Sequence, residues 1–274
     1  MNWSKTKSIF IICFLLLDAF LIFELYVRQQ DEGIERVSDN GPKNSFRLPA
    51  SVPSTPSDVT FLRGSRMNFS KKKNEINRQL VTNKQNKSQK LLIGSDGTQL
   101  VGTFTKPMVG KPSSADFQSN LLSMVYQGGS YTYWKTDEKN GKIEFAQLFN
   151  NQPVFIGGQS SPRMLSFSLN GNGTGEYRDE VISYRQSYFH FRKSNEVDII
   201  SANKAISTLG ESTNLLDSES PRILKVELGY INLVGDADTD PLIFIPAWHI
   251  VVKTKATTKE YFVNAMSGNV QTMN

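Results

Sequence analysis

Three short fragments of the sequence carry the residue types of a serine acyl-transfer site. Residues 201–204 read S-A-N-K and fit S-x-x-K, residues 38–40 read S-D-N, and residues 253–255 read K-T-K, close to K-T-G. Penicillin-binding enzymes use this set for a serine nucleophile and its proton transfers. Here S-D-N precedes S-x-x-K, and the last triplet lacks its glycine. We therefore interpret Ser201 as the N-cap of a helix over residues 202–209 rather than as a nucleophile.

Three aspartates, Asp236, Asp238 and Asp240, have the spacing of a calcium-binding loop. The sixth position of such a loop requires glycine and the twelfth requires glutamate, because the chain turns sharply and the last ligand is bidentate. Pro241 and Ala247 occupy these positions. The pattern therefore predicts a polar loop and no metal site.

Cysteine and histidine are scarce, with one Cys and two His among 274 residues. This excludes a disulfide framework and a Cys-rich metal site, and it leaves little material for a zinc centre or a Ser-His-Asp triad. His249 alternates with Ala247 and Val251 on a predicted strand, as a structural histidine does. Gly171, Gly173 and Gly175 lie between strands and not before a helix, so they predict no phosphate cradle. We predict that the chain is not an enzyme and has no catalytic residue, cofactor or metal.

A strongly apolar run, SIFIICFLLLDAFLIFELYV, occupies residues 8–27. Twenty helical residues rise about 30 Å, the thickness of a bilayer core. Asp18 near the middle costs about 2.5–3.5 kcal/mol, whereas the Ile, Leu, Phe and Val residues together contribute roughly −4 to −8 kcal/mol. The run predicts one transmembrane helix. For Asp18 two interpretations stay open: a contact with the transmembrane helix of a partner, or a carboxyl group that the segment tolerates.

Charge around the apolar run predicts its orientation. Lys5, Lys7 and the α-amine precede it without an acid, whereas the basic residues beyond it are mixed with acids. The positive-inside rule therefore predicts that residues 1–7 are a cytoplasmic tail and that the rest of the chain is extracytoplasmic. No small-residue cleavage site follows the run, which predicts an uncleaved anchor in the cell membrane.

The remaining chain, which is 38% hydrophobic and 21% charged overall, has the composition of a folded protein. Residues 28–58 carry four prolines and predict an extended stalk. Helices followed by antiparallel strands then occur twice, which predicts an α+β fold with a first unit at 59–191 and a second at 192–274. The predicted helices cover 70–83 (capped by Ser70), 115–127 (capped by Ser113) and 202–209 (ended by Gly210). The predicted strands cover 59–68, 131–136, 142–149, 163–169, 177–191, 223–234, 243–253 and 260–265, with a hairpin turn at Asn140-Gly141.

Positive charge is concentrated in residues 63–90, where nine Lys or Arg residues face one acid, Glu75. This segment is interpreted either as a solvated helix face or as a surface that docks to an anionic wall polymer, lipid headgroups or an acidic partner. Nucleic acid is excluded because the segment is predicted to face outward. The basic residues are Arg63, Arg66, Lys71, Lys72, Lys73, Arg78, Lys84, Lys87 and Lys90.

Three stretches of the sequence resemble the YycI family, also called WalI. The opening MNWSKTKSIF with its apolar span is similar to the start of that family. The segment FAQLFNNQPVFIGGQSSPRMLSFSLNGNGTGEY is similar to the domain shared by YycH and YycI. The end, PLIFIPAWHIVVKTKATTKEYFVNAMSGNV, is similar to the closing strands of that domain and of PepSY-type modules. The resemblance covers nearly the whole chain.

The resemblance implies regulation rather than chemistry. YycI proteins are single-pass membrane proteins of low-GC Gram-positive bacteria. With YycH they associate with the sensor histidine kinase of the WalK–WalR (YycG–YycF) two-component system, which governs cell-wall metabolism. Their transmembrane helices are implicated in contacting the kinase, and their outer domains pair YycI with YycH. The alternative is an anchored PepSY-like module that binds wall polymer or restrains an extracytoplasmic peptidase.

Overall fold

The computed structural model describes residues 7, 14–22, 46, 48–49, 51–80, 89–157, 164–170, 180–213, 215, 221–232, 240–255 and 257–272. The chain divides into two compact units, Met1–Asn44 and Ser45–Asn274. In the first unit, residues 14–22 are helical, and the rest of the predicted span 8–27 lies outside the described residues. Within the described part of the chain, no helix has both the length and the apolar character needed to cross a membrane.

The described part of the second unit contains thirteen strands that belong to one sheet. They are β1 (Thr60–Arg66), β2 (Gln89–Ile93), β3 (Leu100–Val109), β4 (Tyr131–Asp137), β5 (Lys142–Phe149), β6 (Gln152–Ile156), β7 (Leu165–Leu169), β8 (Glu180–Gln186), β9 (Phe189–Glu196), β10 (Arg222–Asn232), β11 (Leu242–Lys253), β12 (Thr258–Asn264) and β13 (Val270–Gln271). Its described helices are α1 (Lys73–Leu80), α2 (Ala115–Ser123) and α3 (Ala202–Ser212), with 3-10 turns at Phe69–Lys72 and Gly128–Ser130.

The main path through the sheet runs β13-β12-β11-β10-β6-β5-β7-β8-β3-β2. Off this path, β4 pairs with β5, and β1 pairs with both β9 and β11. The pair of β10 with β6 is parallel, with Tyr230 opposite Val154. This pair joins strands from both predicted α+β units into one sheet. The division at residues 191 and 192 stays a prediction, and β9 runs across it.

Side chains alternate across the sheet and separate two apolar faces. Val154 and Tyr230 point into the main core, which α2 covers with its apolar side chains. Trp248 belongs to a second cluster, with α3. Their strand neighbours Phe155 and Ile231 instead belong to a small separate cluster with Ala146, Ala247 and Phe262. The sheet therefore has a helix-covered face and, behind it, an opposite face with its own aromatic cluster.

The helix starts and ends differ from their predicted positions in three places. The predicted cap Ser70 is wrong, because the side chain of Asn68 accepts hydrogen bonds from the backbone N–H groups of Ser70 and Lys71 at 3.0 and 3.3 Å. The predicted helix 115–127 ends at Ser123 in the structure, and Ser114, not Ser113, precedes it as the N-cap. Gly210 does not end the last helix, which continues to Ser212.

Two predicted strands also require correction. The single strand predicted over 177–191 is interrupted after Gln186, and β9 begins at Phe189. In β10, Leu224 is predicted to point inward, but it is 46% exposed while Ile223 is 1% exposed. A register irregularity between Ile223 and Lys225 shifts the alternation at this end of the strand. Strands β2, β3 and β6 lie where the sequence predicts no strand.

Candidate functional site

Asp18 lies among the helical residues 14–22, and its side chain is exposed. Seven large apolar side chains of the same segment are between 51% and 69% exposed. Nine residues complete about 2.5 turns, so these side chains point to all sides of the helix. A helix that is apolar all round is typical of a segment buried in protein or in a membrane. The seven residues are Phe14, Leu15, Leu16, Leu17, Phe20, Leu21 and Ile22.

Seven of the nine predicted basic residues lie in the described part of the chain, and Lys84 and Lys87 lie outside it. Six of the seven are exposed, and Arg66 is half-buried. They are distributed over β1, the first 3-10 turn, α1 and β2: Arg63, Arg66, Lys71, Lys72, Lys73, Arg78 and Lys90. The structure therefore distributes these residues over several elements rather than on one helix face.

Glu75, the acid within this basic segment, is bound by two groups. The hydroxyl of Tyr126 donates to its Oε1 at 2.8 Å, and the ammonium of Lys72 lies 3.0 Å from its Oε2. The hydrogen bond from Tyr126 is the largest cause of the lowered pKa of Glu75, and Lys72 adds to it. The carboxylate thus connects α1 to the residues that follow α2.

β9 adds basic residues that the sequence reasoning missed. Arg63 of β1 lies directly opposite Arg192 of β9, and Ser65 lies opposite His190. Arg192 and His190 are both exposed. Charge counts along the sequence could not show this, because β1 and β9 are far apart in the chain.

A buried histidine links three strands on the opposite face of the sheet. His249 of β11 is 2% exposed, and its Nδ1 lies 2.9 Å from Oε1 of Glu227 on β10. The ammonium of Lys225 lies 2.7 Å from the same oxygen. On the other side, Oε2 of Glu260 on β12 lies 3.9 Å from Nε2 of His249 and accepts a hydrogen bond from the indole of Trp134 at 2.9 Å.

Aromatic rings enclose the imidazole of His249. The ring of Phe262 stacks on it at 4.7 Å with an interplanar angle of 10°, and the ring of Phe155 lies 5.0 Å away. Burial raises the pKa of Glu227, but the hydrogen bonds from His249 and Lys225 outweigh it, so the pKa lies below its ordinary value. The carboxylate beside the imidazole is therefore ionised at neutral pH.

An imidazole between carboxylates can transfer protons to a group within hydrogen-bond reach, but His249 is buried and stacked against the ring of Phe262. In the described residues, no hydroxyl or thiol is hydrogen-bonded to His249, and no group of three or more His, Cys, Asp or Glu side chains could hold a metal ion. The observed contacts connect the strands β4, β10, β11 and β12 through Trp134, Glu227, His249 and Glu260.

Two of the three predicted acyl-transfer fragments lie in the described part of the chain, and the hydrogen bonds of Ser201 and Thr254 there are local. Oγ of Ser201 accepts a hydrogen bond from the backbone N–H of Lys204 at 3.1 Å, which confirms the N-cap interpretation. Residues 38–40 lie outside the described residues. The hydroxyl of Thr254 donates to the carbonyl of Thr257 at 3.0 Å, within a turn after β11.

The predicted polar loop is described at one residue. Oδ1 of Asp240 accepts a hydrogen bond from the backbone N–H of Arg66 at 3.1 Å. Asp236 and Asp238 lie outside the described residues, as do Gly171, Gly173 and Gly175.

A family model described as YycI protein matches residues 31–266. The chain belongs to the YycI family. This is a regulatory family rather than a known enzyme family, and the match spans the described sheet up to β12. A search of curated proteins finds no match to the sequence.

Several solved structures have similar backbones at low sequence identity. An uncharacterized protein from Eubacterium rectale is 8% identical with a TM-score of 0.43, and the alignment covers 84% of this chain and 90% of that one. YycH from Bacillus subtilis is 13% identical with a TM-score of 0.38, covering 80% and 55%. The C-terminal domain of YpeB from Bacillus megaterium is 13% identical with a TM-score of 0.42, covering 77% and 100%.

Proposed function

We propose that this protein is a single-pass membrane regulator of a sensor histidine kinase that controls cell-wall metabolism. The observation that carries the proposal is the match of the YycI family model to residues 31–266, since that family supports a regulator in the YycG/WalK system. A YycH-like protein acts with it, through contacts between the outer domains. The regulatory family also supports a role without catalysis.

Membrane anchoring through residues 8–27 is part of the proposal. It is supported by the seven exposed apolar side chains between Phe14 and Ile22, which would be unfavourable in water. Lys5 and Lys7 support a cytoplasmic N-terminus. The proposal also includes a stalk at 28–58 and an extracytoplasmic fold of two α+β units, 59–191 and 192–274. A reporter active only in the cytoplasm, fused after Asn274, is expected to stay silent. Activity of that reporter would contradict the orientation.

Asp18 is proposed to contact the transmembrane helix of the kinase. A carboxyl group in hydrocarbon is costly unless it faces protein or water, and the described side chains around Asp18 are apolar. A polar group on a neighbouring helix would satisfy the carboxyl. This gives the membrane segment a specific role beyond anchoring.

Reconstitution tests the proposed regulation directly. The kinase, its response regulator and the full-length chain are placed in the same vesicles, and the phosphorylated regulator is measured with and without a YycH-like protein. The chain is expected to shift the phosphorylated fraction severalfold, in a direction that the measurement itself determines. An unchanged fraction at every ratio of chain to kinase would contradict the proposal.

The alternative function, an anchored module that engages wall polymer or restrains a peptidase, is favoured by one feature. The Lys and Arg residues of segment 63–90 that the structure describes are mostly exposed. Crosslinking from the membrane segment separates the two functions. Capture of a histidine kinase supports regulation, and capture of a peptidase or of no integral partner supports the alternative.

A further inference from the structure

Two exposed arginines lie side by side on one face of the sheet. Arg63 on β1 and Arg192 on β9 are directly opposite in an antiparallel pair, and such residues have Cβ atoms about 4.5–5.5 Å apart on the same face. Across the other edge of β1, Arg63 lies opposite Ile243 of β11. Two guanidinium groups therefore start from adjacent positions and reach into solvent together.

In the described part of the chain, no carboxylate forms an ion pair with either of these two arginines. Ion pairs there bind Lys72, Lys135 and Lys225 to glutamates, whereas neither Arg63 nor Arg192 is within 4.0 Å of a described carboxylate. Like charges directly opposite each other destabilise a sheet. The arrangement is thus unfavourable for folding alone, and an anion bound between the two groups would relieve it.

The backbone beneath the pair is held firmly. β1 is hydrogen-bonded on both sides, to β9 and to β11. A Cβ atom added at Gly64 would lie 2.7 Å from the ring of Phe244 and 3.0 Å from that of Phe191, so the helix-covered face is closely packed here. Both arginine stems therefore start from fixed positions, which lowers the entropy lost on binding.

We infer that Arg63 and Arg192 bind a phosphodiester group of an anionic polymer. The planar guanidinium matches the oxygens of a phosphate in bidentate fashion and is weakly hydrated. Two guanidinium groups at adjacent positions bind one phosphate between them. The inference deepens the proposed function and rests on its extracytoplasmic placement of β1 and β9, where anionic wall polymer is found.

A polymer fits this surface better than a small anion does. Exposed groups in open water hold a single ion weakly, and a polymer compensates by engaging several sites at once. The next position on this face of β9, His190, lies two residues away, about 6.6–6.8 Å along the strand, opposite Ser65. Both are polar, exposed and available to a second phosphate, and the ring of His190 lies 5.5 Å from that of Tyr188.

The binding experiment uses the full-length chain in nanodiscs of neutral phosphatidylcholine and labelled poly(glycerol phosphate) as the probe. Arg63→Gln/Arg192→Gln is compared with Lys139→Gln/Lys253→Gln, which removes the same charge from two other exposed positions. The arginine variant is expected to bind at least about tenfold more weakly. The lysine variant is expected to stay within about twofold of the original.

Thermal unfolding separates lost binding from lost structure. The arginine variant is expected to unfold at the original temperature or above it, because removal of two opposed like charges cannot weaken the sheet electrostatically. A binding loss accompanied by a lower unfolding temperature would overturn the inference, as would equal losses in the two double variants or no binding by the original chain.

Two further probes identify the ligand class. If phosphatidylglycerol vesicles bind through the arginines and the polymer does not bind, the ligand is a lipid surface and the inference of a polymer is overturned. Poly-glutamate that binds as tightly as the polymer would overturn the phosphate specificity. If the polymer does not bind, the chain is still expected to shift the phosphorylated fraction in the reconstituted kinase assay, so failure of this inference is distinguishable from failure of the proposed regulation.

Discussion

Gln147 on β5 completes the backbone hydrogen bonding of Phe189 on β9. The Nε2 amide of Gln147 donates to the carbonyl oxygen of Phe189 at 2.7 Å, and its Oε1 accepts from the backbone N–H of Phe189 at 2.9 Å. In the described structure β9 pairs with no strand other than β1. The glutamine side chain therefore substitutes for a strand neighbour and ties the strand that carries Arg192 to the centre of the sheet.

The variant Gln147→Met tests whether the side chain of Gln147 takes the place of a neighbouring strand. The variant keeps a similar volume but leaves a buried N–H and a buried C=O of Phe189 without partners. At about 1–3 kcal/mol for each unsatisfied group, the free energy of unfolding is expected to fall by about 2–6 kcal/mol. Chemical denaturation measures it, with Gln79→Met on the exposed side of α1 as the control. Equal stabilities of the two variants would contradict this role.

Gly128 and Gly129 provide a matched pair of substitutions. A Cβ atom at Gly128 would collide with the backbone carbonyl of Leu122, whereas at Gly129 nothing lies within 4 Å. Gly128→Ala is expected to lower the free energy of unfolding by at least about 2 kcal/mol, because backbone cannot move aside as a flexible side chain does. Gly129→Ala is expected to stay within about 0.5 kcal/mol of the original. A tolerated alanine at 128 would contradict the close approach of Gly128 to the backbone carbonyl of Leu122.

The contribution of Glu227 to stability should depend on pH. Its pKa in the folded state lies below the ordinary value, so its carboxylate stabilises the fold above the unfolded-state pKa of about 4.3 and loses that effect as the pH falls through the folded pKa. Glu227→Gln is expected to cost about 1–2 kcal/mol at pH 7.

Denaturation of the Glu227→Gln variant and the original chain from pH 7 to pH 3 measures this dependence. The difference between them should shrink steadily below about pH 4. Glu138→Gln, in an exposed turn, serves as the control. A difference for Glu227→Gln that stays constant across the range would mean that the hydrogen bonds to His249 and Lys225 do not depend on the charge.

Tyr126→Phe tests the link between α1 and the residues after α2. The hydroxyl of Tyr126 is the main cause of the lowered pKa of Glu75, so its removal is expected to raise that pKa toward the ordinary value. Titration of the Glu75 carboxyl carbon by NMR measures the change. Tyr133→Phe, whose hydroxyl lies 3.0 Å from that of Thr136, should leave Glu75 unaffected. An unchanged titration in Tyr126→Phe would contradict the observed contact.

The sequence predicted the elements that depend on a short local pattern, such as a turn and the strand that follows it. The hairpin predicted at Asn140-Gly141 forms with a four-residue loop, 138–141, between Asp137 and Lys142. Gly141 has a φ of 59°, and β5 has the predicted bounds. β6 was missed although Asn150 and Asn151 both have positive φ, the signature of a type I′ turn. The strand contains Pro153, and proline in a sequence argues against a central strand. The sequence therefore does not favour a strand here.

The candidate sites could be predicted only in part, because side chains far apart in the chain form them. Charge density predicted Arg63, but only the pairing of β1 with β9 brings Arg192 beside it. Alternation predicted His249 as a structural residue, but Glu227 and Glu260 reach it from two other strands. Periodicity reports which face a residue occupies, and it does not report its neighbours across the sheet.

Asp18→Leu tests the proposed contact in the membrane. Leucine inserts more favourably than aspartate, so the amount of protein in the membrane should not fall. Loss of an interhelical hydrogen bond worth about 0.6–2 kcal/mol is expected to weaken kinase binding about 3- to 30-fold. Asp18→Asn keeps a hydrogen-bonding group and should behave nearly as the original does. Kinase recovery with Asp18→Leu equal to that of the original would show that the carboxyl is merely tolerated.

Co-purification of the sensor histidine kinase with the full-length chain from membranes tests the regulatory function most directly. The original protein and both Asp18 variants are compared at matched expression. The account predicts that the kinase is recovered with the original chain and with Asp18→Asn, and that Asp18→Leu recovers markedly less. Membranes in which the original chain recovers no histidine kinase would contradict the proposed function.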